Sequence, residues 1–368
     1  MLNKFKKVLA RLVILILIGL SIIRILVIKN PKKFILLNPF AVSRHSSILI
    51  FASYARILDK GTRRVLNNFK ERGAYIVFVT NFRHPEVSIQ NEDNLIDLFI
   101  ENNSTGRDFG QFKTATDYIY KKIGRNIPEK IIYMNDSVFY VGDGSDNCFF
   151  DELINKNFDF IGLFENSGDG SSAKKWFISS WLFSTSKALF LSNVYQDFFQ
   201  SYIPHNFKFH AVKKGEVQLT QVALSYSGKI NVIFNNAVLI EIVREFIRNN
   251  SVYSFMQYLP RNFKKSFYNT YRLGNINCVL EYIENHLYKY SPTHVLNIFL
   301  LAQRRIHFLK KDLFISGNLE FNHFGLIDKS LVDIDLNEKL DVLKFFRIKG
   351  KPEDLSFYRN LKRKLELE

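Results

Sequence analysis

Two short clusters of residues in this sequence carry side chains suited to a phosphorylated, hydroxyl-rich ligand. Gly106-Arg107-Asp108 follows the apolar run 96–100, and Asn135-Asp136-Ser137 follows the apolar run 131–134. Glycine lets the backbone approach a ligand closely, and the planar fork of arginine matches phosphate or carboxylate. Aspartates can hold a divalent cation or a sugar hydroxyl. The two clusters together therefore predict a site that binds a ligand with phosphate and hydroxyl groups.

Residues 46–236 alternate strand and helix patterns that would bring these clusters together. Strands are predicted at 48–54, 74–80, 95–101 and 130–134, with helices at 62–72 and after Gly106-Arg107-Asp108. Short strands separated by helices of this length form βαβ units, which predicts an α/β fold with a mostly parallel sheet. Because ligands bind at the carboxyl ends of such strands, both clusters are expected at one edge of the sheet.

The same alternation continues to about residue 236, and helices dominate beyond it. We predict a helix at 149–154, strands at 158–164, 176–184 and 230–234, and helices at 185–200 and 216–226. The stretch 166–174 has the composition of a loop, and it fits a plain surface loop as well as a lid over the substrate. The sequence thus predicts an α/β domain at 46–236 and a mainly helical region at 237–368.

The first 33 residues carry eight lysines and arginines and no acidic residue, which is half of the formal net charge of +16. The longest charge-free apolar run there, 12–23, is shorter than the roughly 20 residues of a spanning helix. We predict a membrane-associated segment at 1–33, for which a short span and a position in the interface both fit. Because basic residues flank the apolar run on both sides, we favour the arrangement with both flanks on the cytoplasmic face. Since the remaining chain is only mildly basic, no nucleic acid partner is expected.

Several other functions lack their sequence signatures. The chain contains no P-loop, no Gly-x-Gly-x-x-Gly fingerprint and no Gly-x-Ser-x-Gly nucleophile elbow. Its two cysteines, Cys148 and Cys278, exclude a disulfide framework and fit a reducing compartment.

A family resemblance rests on four elements in order along the chain. They are the run 101–110 with Gly106-Arg107-Asp108, the triplet Asn135-Asp136-Ser137, the strand 180–183, and the late pair 291–294 and 308–313. Over roughly residues 46–315 this pattern resembles the rhamnan synthesis F family of bacterial polysaccharide glycosyltransferases. The resemblance implies a GT-A-like Rossmann-type fold, with a nucleotide-sugar-binding domain at 46–236 and a C-terminal region that completes the site.

The resemblance also implies roles for individual residues. Asn135-Asp136-Ser137 stands at the place of the metal-binding Asp-x-Asp, so Asp136 would hold a divalent cation, Mn²⁺ or Mg²⁺, with His294 as a further ligand. Glu216 is the candidate base that deprotonates the acceptor hydroxyl. The donor would contact residues from both clusters and the late lysine, namely Asn103, Gly106, Arg107, Asp108, Asn135, Ser137 and Lys310.

The implied reaction moves a sugar, with rhamnose one candidate, from a nucleotide-sugar donor to a growing cell-surface polysaccharide or a lipid-linked glycan. This reaction would take place at the cytoplasmic face of a bacterial inner membrane. The alternative is a membrane-associated protein without catalysis that uses a degenerate transferase fold to bind glycans or partner enzymes. The single carboxylate of Asn135-Asp136-Ser137 favours that alternative.

Overall fold

The structure is a computed structural model that describes residues 32–36, 42–54, 58–80, 95–102, 106–142, 148–155, 157–166, 176–270, 276–315, 319, 321–331, 334, 338–339 and 342. A nine-stranded sheet lies at its centre, with strand order β1-β4-β3-β2-β5-β9-β7-β10 and β8 paired to β7. The strands of this sheet are β1 Lys32–Leu36, β2 Ser47–Ser53, β3 Ala74–Thr80, β4 Leu98–Asn102, β5 Lys130–Asn135, β7 Phe160–Asn166, β8 Phe177–Ile178, β9 Leu182–Ser186 and β10 Ile230–Phe234.

Six of the nine strands run in one direction, so the predicted α/β fold with a mostly parallel sheet is confirmed. Strands β4, β3, β2 and β5 are parallel neighbours, and β7 and β10 form a second parallel pair. The three reversed strands are β1 at the edge, β8, and β9 between β5 and β7. The central strands β2, β3 and β5 are buried along their whole length, as expected for a sheet covered on both faces.

Helices cover both faces of the sheet and form most of the described C-terminal part. They are α1 Lys60–Glu71, α2 Arg107–Tyr118, α3 Cys148–Asn155, α4 Lys187–Phe190, α5 Asn193–Ser201, α6 Lys208–His210, α7 Val217–Tyr226, α8 Asn236–Asn249, α9 Val252–Met256, α10 Arg261–Thr270, α11 Ile276–Leu287, α12 Pro292–Val295, α13 Asn297–Ala302, α14 Asp312–Ile315 and α15 Phe321–Ser330. A 3-10 turn precedes β2 at Val42–Arg44, and π-helical turns occupy Ile119–Ile123 and Ala211–Glu216.

Two predicted elements are each divided into two in the structure. The strand predicted at 176–184 is two strands, β8 and β9, because the chain turns at Ser180, whose N–H and hydroxyl both donate to Glu216. The helix predicted at 185–200 is also two helices, because two serines each cap a separate one. The Ser186 hydroxyl accepts from the Leu189 N–H to begin α4, and that of Ser192 begins α5.

A small second sheet that the sequence did not predict joins the helical region to the central sheet. Strand β6, Val138–Tyr140, pairs antiparallel with β11, Phe308–Lys310. Phe308 packs against Phe150 and Trp181, with ring centroids 6.2 and 5.1 Å apart. The described helical region therefore shares one hydrophobic core with the sheet.

Of the predicted membrane-associated segment 1–33, the structure describes only the last two residues. Lys32 and Lys33, the last residues of the predicted membrane segment 1–33, belong to β1, where they pair with Asn102 and Glu101, and the membrane association of the segment stays a prediction. Residues 1–31 lie outside the described residues, as do 167–174 of the predicted loop. Among the residues that the structure describes, no helix is both long enough and apolar enough to cross a membrane.

Candidate active site

The strand order of the sheet reverses between β2 and β5, and the candidate site lies at this point. From β2 the chain proceeds outward through β3 and β4, and it then returns to the other side of β2 to form β5. Such a topological switch point opens a crevice outside the carboxyl ends of the two strands, where ligands of open α/β sheets bind. The two clusters predicted from the sequence follow β4 and β5.

Asp136 is held at this edge by the end of the neighbouring strand. Its backbone N–H donates to the Ala52 carbonyl at 3.1 Å. One carboxylate oxygen, Oδ2, accepts from the Ser53 hydroxyl at 3.0 Å and from the Tyr54 backbone N–H at 2.7 Å. The carboxylate therefore has a fixed position at the junction of β2 and β5.

Asn135 joins the two predicted clusters. Its side-chain amide donates to Asp108 Oδ2 at 2.5 Å, and its Oδ1 accepts from the Ser137 backbone N–H at 3.0 Å. Asn135 is 2% exposed, so this contact is sheltered from water. The residues predicted to lie together at the sheet edge are adjacent in the structure, although their contact with a donor stays a prediction.

Gly106 and Arg107 begin α2 with backbone angles that ordinary residues avoid. Gly106 has φ 123°, and a Cβ built there would lie 2.2 Å from Cβ of Pro204. Arg107 has φ 45°, in the left-handed region. Asn206 stabilises this turn, since its Oδ1 accepts from the Gly106 N–H at 2.7 Å and its carbonyl from Arg107 Nε at 2.8 Å. The first turn of α2 is thus fixed with Arg107 at the site.

Asp108 is poorly compensated by its surroundings. Burial, followed by the negative charge of Asp136, raises the pKa of Asp108 to about 6. The positive charges of Arg107 and Lys310 oppose this increase in pKa, and the carboxylate of Glu216 adds to it. Asp108, Asp136 and Glu216 are therefore close enough to interact, and burial makes the ionised form of Asp108 costly.

Two lysines from the C-terminal region complete the same site. Lys310 Nζ donates to the Ser137 hydroxyl at 2.6 Å, and Lys311 Nζ donates to the Asp136 carbonyl at 2.6 Å. Strand pairing explains the contact between Lys310 and Ser137, because Lys310 of β11 stands opposite Val138 of β6. Burial lowers the pKa of Lys310, although Asp312 opposes that effect.

Glu216 ends the π-helical turn that precedes α7. Its Oε1 accepts from the Ser180 backbone N–H at 2.9 Å and from the Ser180 hydroxyl at 2.7 Å. Burial raises the pKa of Glu216, whereas both bonds from Ser180 lower it. A carboxylate with a raised pKa is a stronger base, which suits proton abstraction from a hydroxyl.

His294 lies on the lysine side of the site, next to Asp312 at 3.9 Å. Burial lowers the pKa of His294 to about 4, so the ring is neutral at pH 7. Burial would raise the pKa of Asp312, but the charges of Lys310 and Lys208 lower it to about 2. Asn103, predicted to bind the donor, lies outside the described residues.

The described residues fit a divalent cation only with help from a substrate. Within the described part of the chain, no group of three or more His, Cys, Asp or Glu side chains is placed to hold a metal. Asp108 and Asp136 are a pair of interacting carboxylates, and Mg²⁺ is commonly bound by one or two carboxylates together with substrate phosphates. His294 is surrounded by Asp312, Lys310 and Lys208, and its role as a ligand stays a prediction.

Sequence reasoning did not assign roles to several residues of this site. Ser53 and Tyr54 could have been found, since they end a predicted strand and so belong at the ligand-binding edge. Ser180 stands in one of the motifs that carry the family resemblance, but its bond to Glu216 depends on the turn between β8 and β9. Nothing in the sequence around Asn206 indicates its contact with Gly106.

Comparison with known proteins yields solved structures only. No protein-family model matches the chain, so the resemblance to the rhamnan synthesis F family is not confirmed, and no curated protein sequence matches it. One similar structure is the mannosyltransferase PcManGT from Pyrobaculum calidifontis in complex with GDP-Man and Mn²⁺, with 10% identity and TM-score 0.35 over 91% of this chain and 94% of that one. Another is the glycosyltransferase GlyE of Streptococcus pneumoniae TIGR4, with 10% identity and TM-score 0.32 over 85% and 93%.

Proposed function

We propose that this protein is a glycosyltransferase that uses a nucleotide-sugar donor. The observation that carries the proposal is the meeting, at the switch point of the sheet, of the interacting carboxylates Asp108 and Asp136 with Arg107, Lys310 and the candidate base Glu216. This combination provides positive charge for a diphosphate, carboxylates for a cation or sugar hydroxyls, and a base for an acceptor. The resemblance of this chain's motifs to those of rhamnan synthesis F transferases supports the same reaction class.

The donor diphosphate would lie at the N-terminus of α2. Backbone N–H groups of a first helical turn attract anions, and the guanidinium of Arg107 stands in that turn. Lys310 approaches from β11 and interacts electrostatically with Asp108, so it faces the same space. Gly106, Asn135 and Ser137 would shape the backbone around the donor.

A divalent cation, Mn²⁺ or Mg²⁺, would be held by Asp108 and Asp136 together with oxygens of the donor. When bound, it would neutralise charge on the diphosphate leaving group. It would also remove the repulsion between the two carboxylates that contributes to the raised pKa of Asp108. The ligand role of His294 belongs to this proposal as a weaker element, because two lysines lie beside it.

Glu216 would accept the proton of the acceptor hydroxyl as that oxygen attacks the anomeric carbon of the donor sugar. The bond from the anomeric carbon to the diphosphate oxygen breaks in the same reaction, and the nucleoside diphosphate leaves with its electron pair. Ser180 holds the Glu216 carboxylate through Oε1 in two hydrogen bonds, which fixes its direction during proton transfer.

Rhamnose as the sugar, and a cell-surface polysaccharide or lipid-linked glycan as the acceptor, are supported by the family resemblance alone. Association with the cytoplasmic face of the inner membrane is supported by the eight cations and the apolar run at the N-terminus. These elements belong to the same proposal but stand on the sequence only.

A protein that binds glycans without catalysis is the second candidate. The observation that favours it is that Asn135-Asp136-Ser137 carries a single carboxylate. The two candidates differ in one product, because only a transferase releases free nucleotide from a nucleotide sugar in a divalent-cation-dependent reaction.

Donor binding tests the proposal through Arg107. The Arg107→Lys variant keeps the charge but loses the fork, so nucleoside diphosphate affinity should fall about tenfold while the melting temperature changes little. Thermal-shift titrations with a panel of nucleoside diphosphates and nucleotide sugars, with and without Mn²⁺, would measure both quantities. Arg125→Lys is the matched control, since Arg125 is exposed beyond the far end of α2. Equal affinities in the two variants would overturn the assignment of Arg107 to the donor.

A further inference from the structure

Residues 203–214, here named the rim segment, follow α5, include α6 and end within the π-helical turn Ala211–Glu216. The segment borders the candidate site. Within the described part of the chain, Phe209 is the most exposed large hydrophobic side chain, at 70%, and Ile203 is 46% exposed. Burying an aromatic side chain is strongly favourable. Single exposed apolar side chains are common on protein surfaces, so the charges beside Phe209 decide what this surface fits.

The charged residues within the rim segment are all lysines, and one of them, Lys208, is paired with Asp312. No acidic residue occurs between Asp197 and Glu216, whereas Lys208, Lys213 and Lys214 are all exposed within the rim segment. The ammonium group of Lys213 stands 5.8 Å from the centre of the Phe209 ring. An apolar side chain with lysines beside it is the pattern of segments that lie on anionic lipid.

Contacts with the protein hold the rim segment in this arrangement. The ring of His210 bonds to the Ile203 carbonyl at 3.0 Å, and Asn206 binds the Gly106 turn. The Phe207 side chain points inward and is 8% exposed, while its neighbour Phe209 points outward. At the far end, a Cβ on Gly215 would lie 2.5 Å from the Phe109 ring, so the backbone packs directly on the core. The exposure of Phe209 is thus fixed by well-packed neighbours.

We propose that the rim segment docks on an anionic lipid bilayer, with Phe209 entering the interface and Lys213 and Lys214 contacting the lipid head groups. Because Asn206 and Lys208 of the same segment bind the Gly106 turn and Asp312, docking would bring the opening of the site to the membrane surface. This contact is separate from the N-terminal segment, and it does not depend on the reaction proposed above.

A second copy of the chain is a poorer occupant for this surface. Stable interfaces bury about 800 Å² on each partner, far more than two apolar side chains provide. In a two-fold symmetric contact, Lys213 and Lys214 would also face their own copies, which like-charge repulsion disfavours. An anionic bilayer matches both the small apolar area and the positive charge.

The test places a fluorescent reporter at the tip of the surface in the full-length protein. Phe209→Trp is mixed with vesicles of phosphatidylglycerol and phosphatidylcholine whose acyl chains are brominated, with wild type as the baseline for Trp176 and Trp181. The matched control is Tyr253→Trp, since Tyr253 is 65% exposed on α9. We expect a blue shift and loss of emission for Phe209→Trp and neither change for Tyr253→Trp. This comparison separates rim contact from tethering by the N-terminus, which both variants retain.

Charge is tested in the same assay. Replacing both lysines, as Lys213→Glu and Lys214→Glu in the Phe209→Trp background, should restore most of the emission on anionic vesicles. The emission of Phe209→Trp should likewise stay high with vesicles of phosphatidylcholine alone. Emission of Phe209→Trp that matches Tyr253→Trp on anionic vesicles would overturn the proposal. A blue shift that depends on protein concentration without lipid would also overturn it and would assign the surface to self-association.

Discussion

The two ends of the central sheet treat buried carboxylates in opposite ways. Asp97, which precedes β4 at the amino end of the parallel strands, accepts from Lys70 Nζ at 2.5 Å and from the Ile76 N–H at 2.7 Å. Asp108, at the carboxyl end, lies beside the carboxylates of Asp136 and Glu216, and its pKa is raised to about 6. The first arrangement stabilises the fold, whereas the second leaves charge that a ligand or a cation would compensate.

This difference separates structural carboxylates from functional ones. A structural carboxylate has its partners within the fold, as Asp97 does. A functional carboxylate is surrounded by groups that raise its free energy in the ligand-free protein, and that cost is removed on binding. Variants at the two ends of the sheet should therefore change stability and activity in opposite patterns.

The largest effect is expected at Glu216. Glu216→Gln keeps the shape and one acceptor for Ser180 but removes the base, so kcat should fall by about 10²–10⁴-fold with little change in melting temperature. Steady-state assays of sugar transfer would measure this loss, with Glu241→Gln on α8 as the control. A variant that keeps wild-type kcat would show that Glu216 is not the base.

The next largest effect is expected at the structural end of the sheet. Asp97→Ala should lower the free energy of unfolding by about 3 kcal/mol, because it removes a buried ion-pair partner and the acceptor of the Ile76 N–H. Urea denaturation would measure the change, and the activity of the folded protein should be unaltered. The control is Asp151→Ala, whose ion pair with Arg72 is 53% exposed on the acid side and should contribute less than about 1 kcal/mol. Similar losses in the two variants would contradict the structural role of Asp97.

The smallest effect is expected at Asp108, where a substitution should raise the free energy of unfolding instead of lowering it. Because the folded pKa of Asp108, about 6, is above its ordinary value of 3.8, the unfolded protein releases this proton first, and wild-type stability falls as pH rises between these values. Asp108→Asn lacks this loss, so it should be more stable than wild type by about 1 kcal/mol above pH 6 and equal to it below pH 4. Thermal melts across pH would show this, and a variant less stable than wild type at pH 7 would contradict it.

The sequence predicted the parts of the fold that depend on local patterns. The strand predictions at 74–80 and 230–234 match β3 and β10 residue for residue, because apolar runs bounded by turn residues define buried strands. The proximity of Asp108 and Asn135 also followed, since both clusters were expected at the carboxyl edge of one sheet. Local pattern and the rule for parallel strands were sufficient there.

The rest of the site depends on contacts between distant parts of the chain. Lys310 reaches Ser137 only because β11 pairs with β6, and both strands are three residues long, too short for a clear sequence pattern. Asn206 meets Gly106 across the space between α2 and the rim segment. Such contacts are set by how the elements pack, which periodicity along the sequence does not encode.

Nucleotide-sugar turnover by wild type and Asp136→Asn across a Mn²⁺ titration, with Asp159→Asn as the control, decides whether the carboxyl end of the sheet is catalytic. Asp159 is also a hydrogen-bonded carboxylate, since it accepts from Ser186 at 2.7 Å, but it precedes β7 at the opposite end of the sheet. We predict that Asp136→Asn loses Mn²⁺-dependent release of nucleotide and keeps its melting temperature, while Asp159→Asn turns over like wild type. If Asp136→Asn matched wild type at every Mn²⁺ concentration, the carboxyl end of the sheet would not be the catalytic site proposed here.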